Sequence, residues 1–314
     1  MSNRTNFISA VSNLLQDVRK KLRTALDMGL ANSLRYLFFK PKQSLWVDLV
    51  TDDFVQTSIS DVAMWRDFAS KASSDSEVFE HFRRYEILRR IVETNDYFQG
   101  RQYLSNIFSL ADQDETIYPK TLSDLVSEFD SVGSPLCYKY KTLGLASPLA
   151  LRYLDTALEI KRLFNLKSVD LVVEIGPGFG GLALMNSRLM KVKDYWLIDL
   201  PEVVDLCSRF LDEFRTDTTF RDGLGLTSKQ SYFDLVISNY AFSEIKRDMQ
   251  VELAELVLSR SRKGYLVWNN LGETYMGGVT LKEFLSWVPN PRVLSERPLT
   301  ANGNQIIVWG LDDV

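Results

Sequence analysis

Residues 171–181 read LVVEIGPGFGG, and this stretch decides the fold of the chain. An apolar run of strand length leads into four glycines, and the following LALMNSRLM spaces its apolar residues as a helix does. The sequence therefore predicts a strand, a glycine-rich turn and a helix. Glycine has no Cβ, so Gly176, Gly178 and Gly180 can adopt positive φ and let the backbone approach a ligand, with the amides of the helix N-terminus behind them.

The next apolar run, YWLID, ends at Asp199. In a doubly wound sheet the second strand lies beside the first, and ligands bind at the carboxyl edge of the strands. A carboxylate at that edge can accept both ribose hydroxyls of an adenosine. Gly176, Gly178 and Gly181, with an acid about 20 residues further on, also satisfy the dinucleotide fingerprint. The glycines alone therefore leave NAD open.

Glu174 distinguishes the two cofactors, because a dinucleotide-binding strand normally carries an apolar side chain two places before its first glycine. The E-x-G-x-G turn resembles motif I of class I methyltransferases. In that resemblance the acid contacts the amino-acid end of S-adenosylmethionine and Asp199 holds the ribose. The alternative for Glu174 is a solvated residue at a strand end. We expect the cofactor contacts to be Glu174, Gly176, Gly178, Gly180, Asp199, Leu200, Asn239 and, against the adenine, Asp222.

The remaining chain supplies the other parts of a seven-stranded Rossmann-like α/β sheet in order. A helix is predicted at 201–214. A longer helix is predicted after strand 233–239, and it ends in a glycine C-cap at Lys263 and Gly264. Residues 215–232 leave little room for a full helix. The remaining predicted elements are strands at 233–239 and 264–270, a helix at 280–288 and a late hairpin made of RVLSE and QIIVWG.

Four blocks narrow the resemblance: IGPGFGG, LIDLPEV, FDLVISNYAFSEI and GYLVWNN. In this order they resemble the signature blocks of the sugar O-methyltransferase family. They span about residues 171–309, and SPLALRYL at 147–154 resembles the segment that leads into that family's domain. The resemblance implies S-adenosylmethionine as cofactor and a hydroxyl of a sugar or glycan, nucleotide-linked, lipid-linked or free, as acceptor. An NAD(P)-dependent oxidoreductase and a non-catalytic cofactor-binding partner of another methyltransferase stay open.

Methyl transfer to a hydroxyl needs a collinear donor and acceptor and a group that takes the proton. The candidate bases follow strand 233–239, and Glu244 is the first choice. Its alternative role is that of a helix-start acid favoured by the macrodipole. Tyr240 and Ser243 are candidate acceptor contacts. Asn269 and Asn270, after the next strand, either bind acceptor hydroxyls or form a turn.

The only histidine, His81, lies far upstream of the glycine turn. It reaches the pocket as a second candidate base only if the N-terminal region folds over the site; otherwise it is an imidazole of the surface or core edge. With one histidine and two separated cysteines, Cys137 and Cys207, the common zinc sites are excluded. An all-oxygen Mg²⁺ or Ca²⁺ site stays open, and we expect a metal-independent reaction.

The 314 residues are long enough for two domains. Residues 1–146 are predicted to form a mostly helical domain that caps the cleft or mediates dimerisation, and residues 147–314 the cofactor-binding domain. The bridge at 133–154 contains Tyr138, Tyr140 and Arg152, which either contact ligand or belong to core and surface. No signal segment and no apolar run of 18 residues are present, so we expect a cytoplasmic protein without a transmembrane segment.

Charge is unevenly distributed, since residues 1–45 are basic within a chain of net charge -4. A basic amphipathic helix can contact an anionic membrane surface, or it can be a solvated face packed on the chain's own acidic body. The acidic overall balance and the lack of an extended basic stripe near the site disfavour a nucleic-acid acceptor. The basic residues of the segment are Arg4, Arg19, Lys20, Lys21, Arg23, Arg35, Lys40 and Lys42.

Overall fold

A computed structural model describes residue 32 and residues 63–112, 119–223 and 232–311. The basic side chains of residues 1–45, which either contact a membrane surface or form a solvated face, lie outside the described residues. The described helices are α1 (Ala63–Ser74), α2 (Ser76–Glu80), α3 (Glu86–Ile91), α4 (Tyr97–Ala111), α5 (Pro119–Phe129), α6 (Pro148–Leu163), α7 (Gly181–Leu189), α8 (Pro201–Asp212), α9 (Ala241–Glu244), α10 (Arg247–Leu256), α11 (Leu271–Tyr275) and α12 (Leu281–Phe284). The strands are β1 (Tyr138–Tyr140), β2 (Gly144–Ala146), β3 (Ser168–Ile175), β4 (Lys191–Ile198), β5 (Thr219–Asp222), β6 (Phe233–Asn239), β7 (Ser261–Trp268), β8 (Arg292–Ser295) and β9 (Gln305–Trp309).

Seven strands form one sheet in the order β5-β4-β3-β6-β7-β9-β8. Every neighbouring pair from β5 to β7 is parallel, and only β9 runs antiparallel to its two neighbours. The chain order reverses at β3, whose neighbours are β4 and β6. The predicted Rossmann-like methyltransferase sheet with a late hairpin is therefore confirmed, and the reversal opens a crevice at the carboxyl ends of β3 and β6.

The central strands are apolar because helices cover both faces of a parallel sheet. Val172 and Val173 of β3 are fully buried, although they face opposite sides of the sheet, and so are Leu235 and Val236 of β6. Strand β6 begins at Phe233, as predicted. Strand β3 begins at Ser168, three residues before the predicted apolar run, because its pairing with β4 extends to Lys191.

The helices before residue 147 pack directly on the sheet layer. Helix α1 lies against α8, and α4 lies against α6. An aromatic cluster joins the two parts: the Phe179 ring of the glycine turn lies 4.9 Å from Phe210 of α8, 5.2 Å from Phe82 and 5.9 Å from Phe129. All four rings are buried, and each stabilises the fold by roughly 1.5–3 kcal/mol. The upstream helices thus share one core with helices α6 to α8 and one face of the sheet, and the domain division at residue 146 stays a prediction.

Arg83 is buried inside this junction with its charge compensated. It pairs with Glu93 and, at 3.2 Å from its Nη1, with the Oδ1 of Asp130. Its Nη2 donates to the Ser147 Oγ at 3.0 Å, and Ser147 also caps α6 by accepting the Ala150 amide. Removing one partner would leave a buried unpaired charge, which costs about 3–5 kcal/mol. The start of α6 is therefore fixed by the upstream helices.

The predicted glycine C-cap at Gly264 is wrong. Helix α10 ends at Leu256, a 3-10 turn follows at Leu258–Arg260, and β7 has begun by Ser261. Gly264 pairs with Trp309 of β9, and a Cβ there would lie 2.0 Å from the Trp309 ring. The glycine thus makes room for a buried tryptophan instead of ending a helix. Within the described residues, no helix has both the length and the apolar character needed to cross a membrane.

Candidate functional site

A cavity of about 300 Å³ lies at the carboxyl edge of β3, β4, β6 and β7. The strand ends form its floor, and residues from the upstream helices and the β8–β9 connection complete its walls. Its volume is at the lower end of the range for small-molecule sites. The lining residues are Trp65, Arg89, Arg90, Ile91, Val92, Thr94, Asn95, Gln99, Arg152, Tyr153, Glu174, Gly176, Gly178, Asp199, Asn239, Tyr240, Ala241, Glu244, Asn269, Leu271, Thr300 and Ala301.

The glycine turn presents backbone to this cavity. Gly176 and Gly178 have φ of +74° and +63°, which side chains rarely tolerate. A Cβ at Gly176 would lie 1.9 Å from the Ala241 Cβ, whereas one at Gly178 would meet nothing closer than Val92 at 3.4 Å. Gly180, also predicted as a cofactor contact, is the N-cap of α7, where a Cβ would face Leu211 and the Cys207 side chain; it is not among the lining residues, and its cofactor contact stays a prediction.

Glu174 is 1% exposed and lies on the cavity wall. The Tyr195 hydroxyl donates to its Oε2 at 2.7 Å. Burial raises the pKa of Glu174 to about 7; the hydrogen bond from Tyr195 opposes this rise, and the negative charge of Asp199 adds to it. Because Glu174 has no cationic partner among the described residues, the wall here suits a positively charged ligand group.

Asp199 lies just beyond β4 and also lines the cavity. Its Oδ1 accepts the Leu200 amide at 2.8 Å, which fixes the carboxylate at the strand end. Leu200 itself is the N-cap of α8 and is not part of the described lining. Asp222 ends β5 beside Leu197 and is exposed outside the described lining, so its adenine contact stays a prediction.

Glu244 faces the cavity from the end of the four-residue helix α9, and α10 begins only at Arg247. Glu244 therefore lies in the first turn of α9 and not in that of the longer helix, and its alternative role as a helix-start acid stays open. The Asn269 Nδ2 donates to its Oε1 at 2.6 Å. Burial raises the pKa of Glu244 to about 7, while the Asn269 hydrogen bond and the positive charge of Arg152 act to lower it.

Asn269 is held by its neighbours, because its Oδ1 accepts the Leu271 amide at 3.1 Å and its own backbone amide donates to the Ser243 hydroxyl oxygen at 3.2 Å. Ser243, predicted as an acceptor contact, is 2% exposed and donates to the Tyr240 carbonyl at 2.7 Å. It supports the wall from behind and does not line it. Asn270 is exposed at the start of α11, also outside the described lining.

Arg152, Asn239 and Tyr240 form the wall between the upstream helices and β6. The Arg152 guanidinium lies 4.7 Å above the Tyr240 ring and donates to the Asn239 Oδ1 at 3.0 Å. The Tyr240 hydroxyl bonds to Glu296, and lies 2.9 Å from the Thr300 hydroxyl. Of the three bridge residues that either contact ligand or belong to core and surface, Arg152 is at the cavity. Tyr138 and Tyr140 are buried, with rings 5.6 and 5.3 Å from Tyr97.

His81 is not brought to the cavity. Its half-exposed side chain lies with Nδ1 3.1 Å from the Ser134 hydroxyl and Nε2 3.9 Å from Glu80. No three His, Cys, Asp or Glu side chains of the described ranges are grouped so as to hold a metal ion. Metal independence stays a prediction.

Sequence reasoning missed the lining residues that come from outside the sheet motifs. Arg89 and Arg90 belong to α3, and Asn95 precedes the capping box of Asp96 and Gln99 that starts α4. The capping box itself is visible in the sequence NDYFQ, but it indicates only a helix start.

No family model matches this chain, and no curated protein matches it. The strand order and the glycine turn define a Rossmann-like fold of the methyltransferase type. Among solved structures, a methyltransferase from Pyrococcus furiosus is 14% identical with a TM-score of 0.37, covering 49% of this chain and 81% of that one. Phosphoethanolamine N-methyltransferase 2 from Haemonchus contortus, solved with S-adenosylhomocysteine, is 16% identical with a TM-score of 0.36, covering 46% and 39%. TrmK from M. capricolum, also solved with S-adenosylhomocysteine, is 11% identical with a TM-score of 0.34, covering 49% and 66%. At these values the similarities carry no conclusion about activity.

Proposed function

We propose that this protein is an S-adenosylmethionine-dependent methyltransferase that methylates a hydroxyl of a sugar or glycan. One observation carries the proposal. Glu174 lies near the end of β3, Asp199 directly follows β4 and Glu244 ends the short helix α9 after β6, and all three line one cavity. Two of these carboxylates lie beside the glycine turn, and the third lies across the cavity floor on the β6 side. This arrangement separates a cofactor half from an acceptor half.

In the glycine-turn half of the cavity, the polar groups and the exposed backbone fit S-adenosylmethionine. Within the described part of the chain, only the Oε2 of Glu174 has a hydrogen-bond partner. Its Oε1 can therefore accept a hydrogen bond from an ammonium group. Asp199 would hold the ribose hydroxyls, and the backbone at Gly176 and Gly178 would lie against the ligand. Two carboxylates in a partly desolvated site also attract a sulfonium more strongly than water would allow. When bound, the cofactor supplies an electrophilic methyl group.

The acceptor half contains a base and the residues that orient it. Glu244 would accept the proton of the acceptor hydroxyl at its carboxylate, and a pKa near 7 suits a base that works at neutral pH. Asn269 holds that carboxylate in place. The side chains of Asn239, Asn269 and Thr300 offer amides and a hydroxyl for a polyhydroxylated acceptor. The sugar itself is proposed from the resemblance of the four sequence blocks.

Calorimetric titration of the full chain with S-adenosylhomocysteine tests the cofactor, with NADH as comparator. We expect S-adenosylhomocysteine to bind and Asp199→Ala to weaken it by at least about tenfold, the loss of roughly one charged hydrogen bond. NADH binding in its place would support the oxidoreductase alternative and overturn the proposal. Binding with no methyl transfer to any member of a sugar panel would favour a non-catalytic partner.

A further inference from the structure

The Arg152 guanidinium is enclosed in the cavity wall and forms no ion pair with a carboxylate of the described residues. Its described contacts are the Tyr240 ring and a single hydrogen bond to the Asn239 Oδ1. The nearby Glu296 carboxylate is engaged by Tyr240 and by the Thr300 amide and hydroxyl. A guanidinium has five N–H donors, so most of the donors of Arg152 have no acceptor within the described residues.

Asn239 adds a second donor at the same place. Its Nδ2 is buried and has no hydrogen-bond partner among the described residues, which costs about 1–3 kcal/mol. The amide orientation is set by Arg152, because a flipped amide would place its NH₂ against the guanidinium donors. Within the described part of the chain, most of the Arg152 donors and the Asn239 Nδ2 therefore lack oxygen acceptors on one wall of the cavity.

The charge of the cavity favours a negative ligand group on this wall. Its lining contains three arginines and three acids, and two of the acids, Glu174 and Glu244, have pKa values raised to about 7. Arg90 is already paired with Glu86, whereas Arg152 forms no ion pair with a carboxylate of the described residues. At neutral pH Glu174 and Glu244 are only partly ionised, so they compensate the charge of Arg152 only in part. An anionic ligand group beside Arg152 would complete that compensation.

We propose that Arg152 and the Asn239 Nδ2 bind a carboxylate or phosphate group of the methyl acceptor, beside the hydroxyl that Glu244 deprotonates; this rests on the proposed function. The planar fork of arginine matches the oxygen pairs of either group. The acceptor is thus an acidic or phosphorylated sugar, such as a uronic acid or a sugar phosphate. The Arg152 wall continues through Tyr240 and Glu296 to Thr300, on the side of the cavity away from Asp199.

Asn239→Asp tests the site. The new carboxylate keeps the size of the side chain and pairs with Arg152, so the fold is preserved while the anion is repelled. Inorganic phosphate and acetate are the probes, added to the full chain saturated with S-adenosylhomocysteine. The measurement is the melting temperature relative to sodium chloride of equal ionic strength, since a ligand of the folded state raises it by mass action.

We expect both anions to raise the melting temperature of the wild-type chain, and Asn239→Asp to weaken their binding by about tenfold or more. Arg152→Gln should do the same if it folds. Glucuronate and glucose 6-phosphate should then bind better than glucose. If wild type and Asn239→Asp respond equally to phosphate and acetate, the anion site is overturned while cofactor binding stands.

A different outcome would show that Arg152 and Asn239 bind the cofactor and not the methyl acceptor. If Asn239→Asp weakens S-adenosylhomocysteine by more than about tenfold, Arg152 and Asn239 hold the carboxylate of the cofactor, and the acceptor site is overturned. If the wild-type chain binds no S-adenosylhomocysteine at all, the proposed function itself fails, and the anion site fails with it.

Discussion

The hydroxyl of Tyr195 donates to the Oε2 of Glu174 at 2.7 Å, and it joins two neighbouring strands beneath the cavity. Tyr195 lies in β4, where it pairs in register with Val172 of β3, and it is fully buried. It also accepts a hydrogen bond from the Asn186 Nδ2 at 3.1 Å. The carboxylate that faces the ligand is therefore held by a residue that never reaches the ligand.

Tyr195→Phe should weaken S-adenosylhomocysteine binding near neutral pH. Without the hydroxyl donor the pKa of Glu174 rises further above about 7, so less of the carboxylate is ionised to meet the ligand ammonium. We expect a loss of about three- to tenfold at pH 7, shrinking as the pH is raised. Calorimetry over a pH series measures it.

Tyr265→Phe is the matched control, because the buried Tyr265 hydroxyl donates to Glu159 at 2.6 Å away from the cavity lining. It should lower stability without moving the pH dependence of binding. Equal effects of the two variants on binding would contradict a specific role for Tyr195.

Glu174→Gln should stabilise the ligand-free protein above neutral pH. The carboxyl has a pKa of about 7 in the fold and about 4.5 when unfolded, so both states are protonated at low pH and the folded state is penalised as pH rises. At about pH 8 the penalty approaches roughly 3 kcal/mol as an upper bound. Glutamine carries no charge and avoids this penalty, and its side-chain oxygen can still accept the hydrogen bond from the Tyr195 hydroxyl.

Urea unfolding at about pH 4.5 and about pH 8 provides the measurement for Glu174→Gln. The stability difference between variant and wild type should grow by about 1–3 kcal/mol between the two pH values. The same variant should bind S-adenosylhomocysteine more weakly. A difference that is constant with pH would show that Glu174 is ionised at no cost in the fold.

Glu244→Gln should slow methyl transfer by about 10²- to 10⁴-fold, the usual contribution of a general base, with little change in cofactor affinity. In the wild type the rate should fall as pH drops below about 7, because the base becomes protonated. Glu252→Gln, at an exposed position of α10, serves as the control. An unchanged rate for Glu244→Gln would remove it from the reaction.

Gly176→Ala and Gly178→Ala should separate folding from binding. Both glycines and the control Gly277 have positive φ, so alanine is strained by a similar amount at each. Gly176→Ala should be less stable than Gly178→Ala by about 1–3 kcal/mol, since its Cβ would overlap Ala241. Gly178→Ala should fold but lose S-adenosylhomocysteine.

Gly277→Ala should retain S-adenosylhomocysteine binding, because nothing lies within 4 Å of its Cβ position and it is not part of the described lining. Thermal unfolding and calorimetry of the three alanine variants test these expectations together. Retained binding by Gly178→Ala would contradict a close backbone approach at the turn.

The strand-and-turn parts of the site could be predicted from the sequence because they are local. Glu174, Asp199 and Glu244 each follow an apolar run, and the carboxyl ends of parallel strands meet at one edge. Gly264 could not be interpreted in this way. A glycine that follows a helical pattern gives the same sequence signal whether it caps the helix or makes room for Trp309. Only the pairing of β7 with β9 distinguishes the two.

The residues from outside the sheet could not be predicted because their position depends on tertiary packing. Arg89 reaches the cavity because the aromatic cluster around Phe179 fixes the upstream helices on the turn. Ser243 has a polar side chain of the kind that binds acceptor hydroxyls, but its hydroxyl donates a hydrogen bond to the Tyr240 carbonyl. Such competition between neighbouring polar groups leaves no periodic signal in the sequence.

The position of β9 between β7 and β8 has a consequence for the nascent chain. Strand β8 leaves the ribosome before the strand that joins it to the sheet, so it has no neighbour until Trp309 has been made. The wall containing Thr300 and Ala301 lies in the connection between these two strands. During synthesis the glycine-turn side of the cavity can therefore assemble first, and the opposite wall closes last.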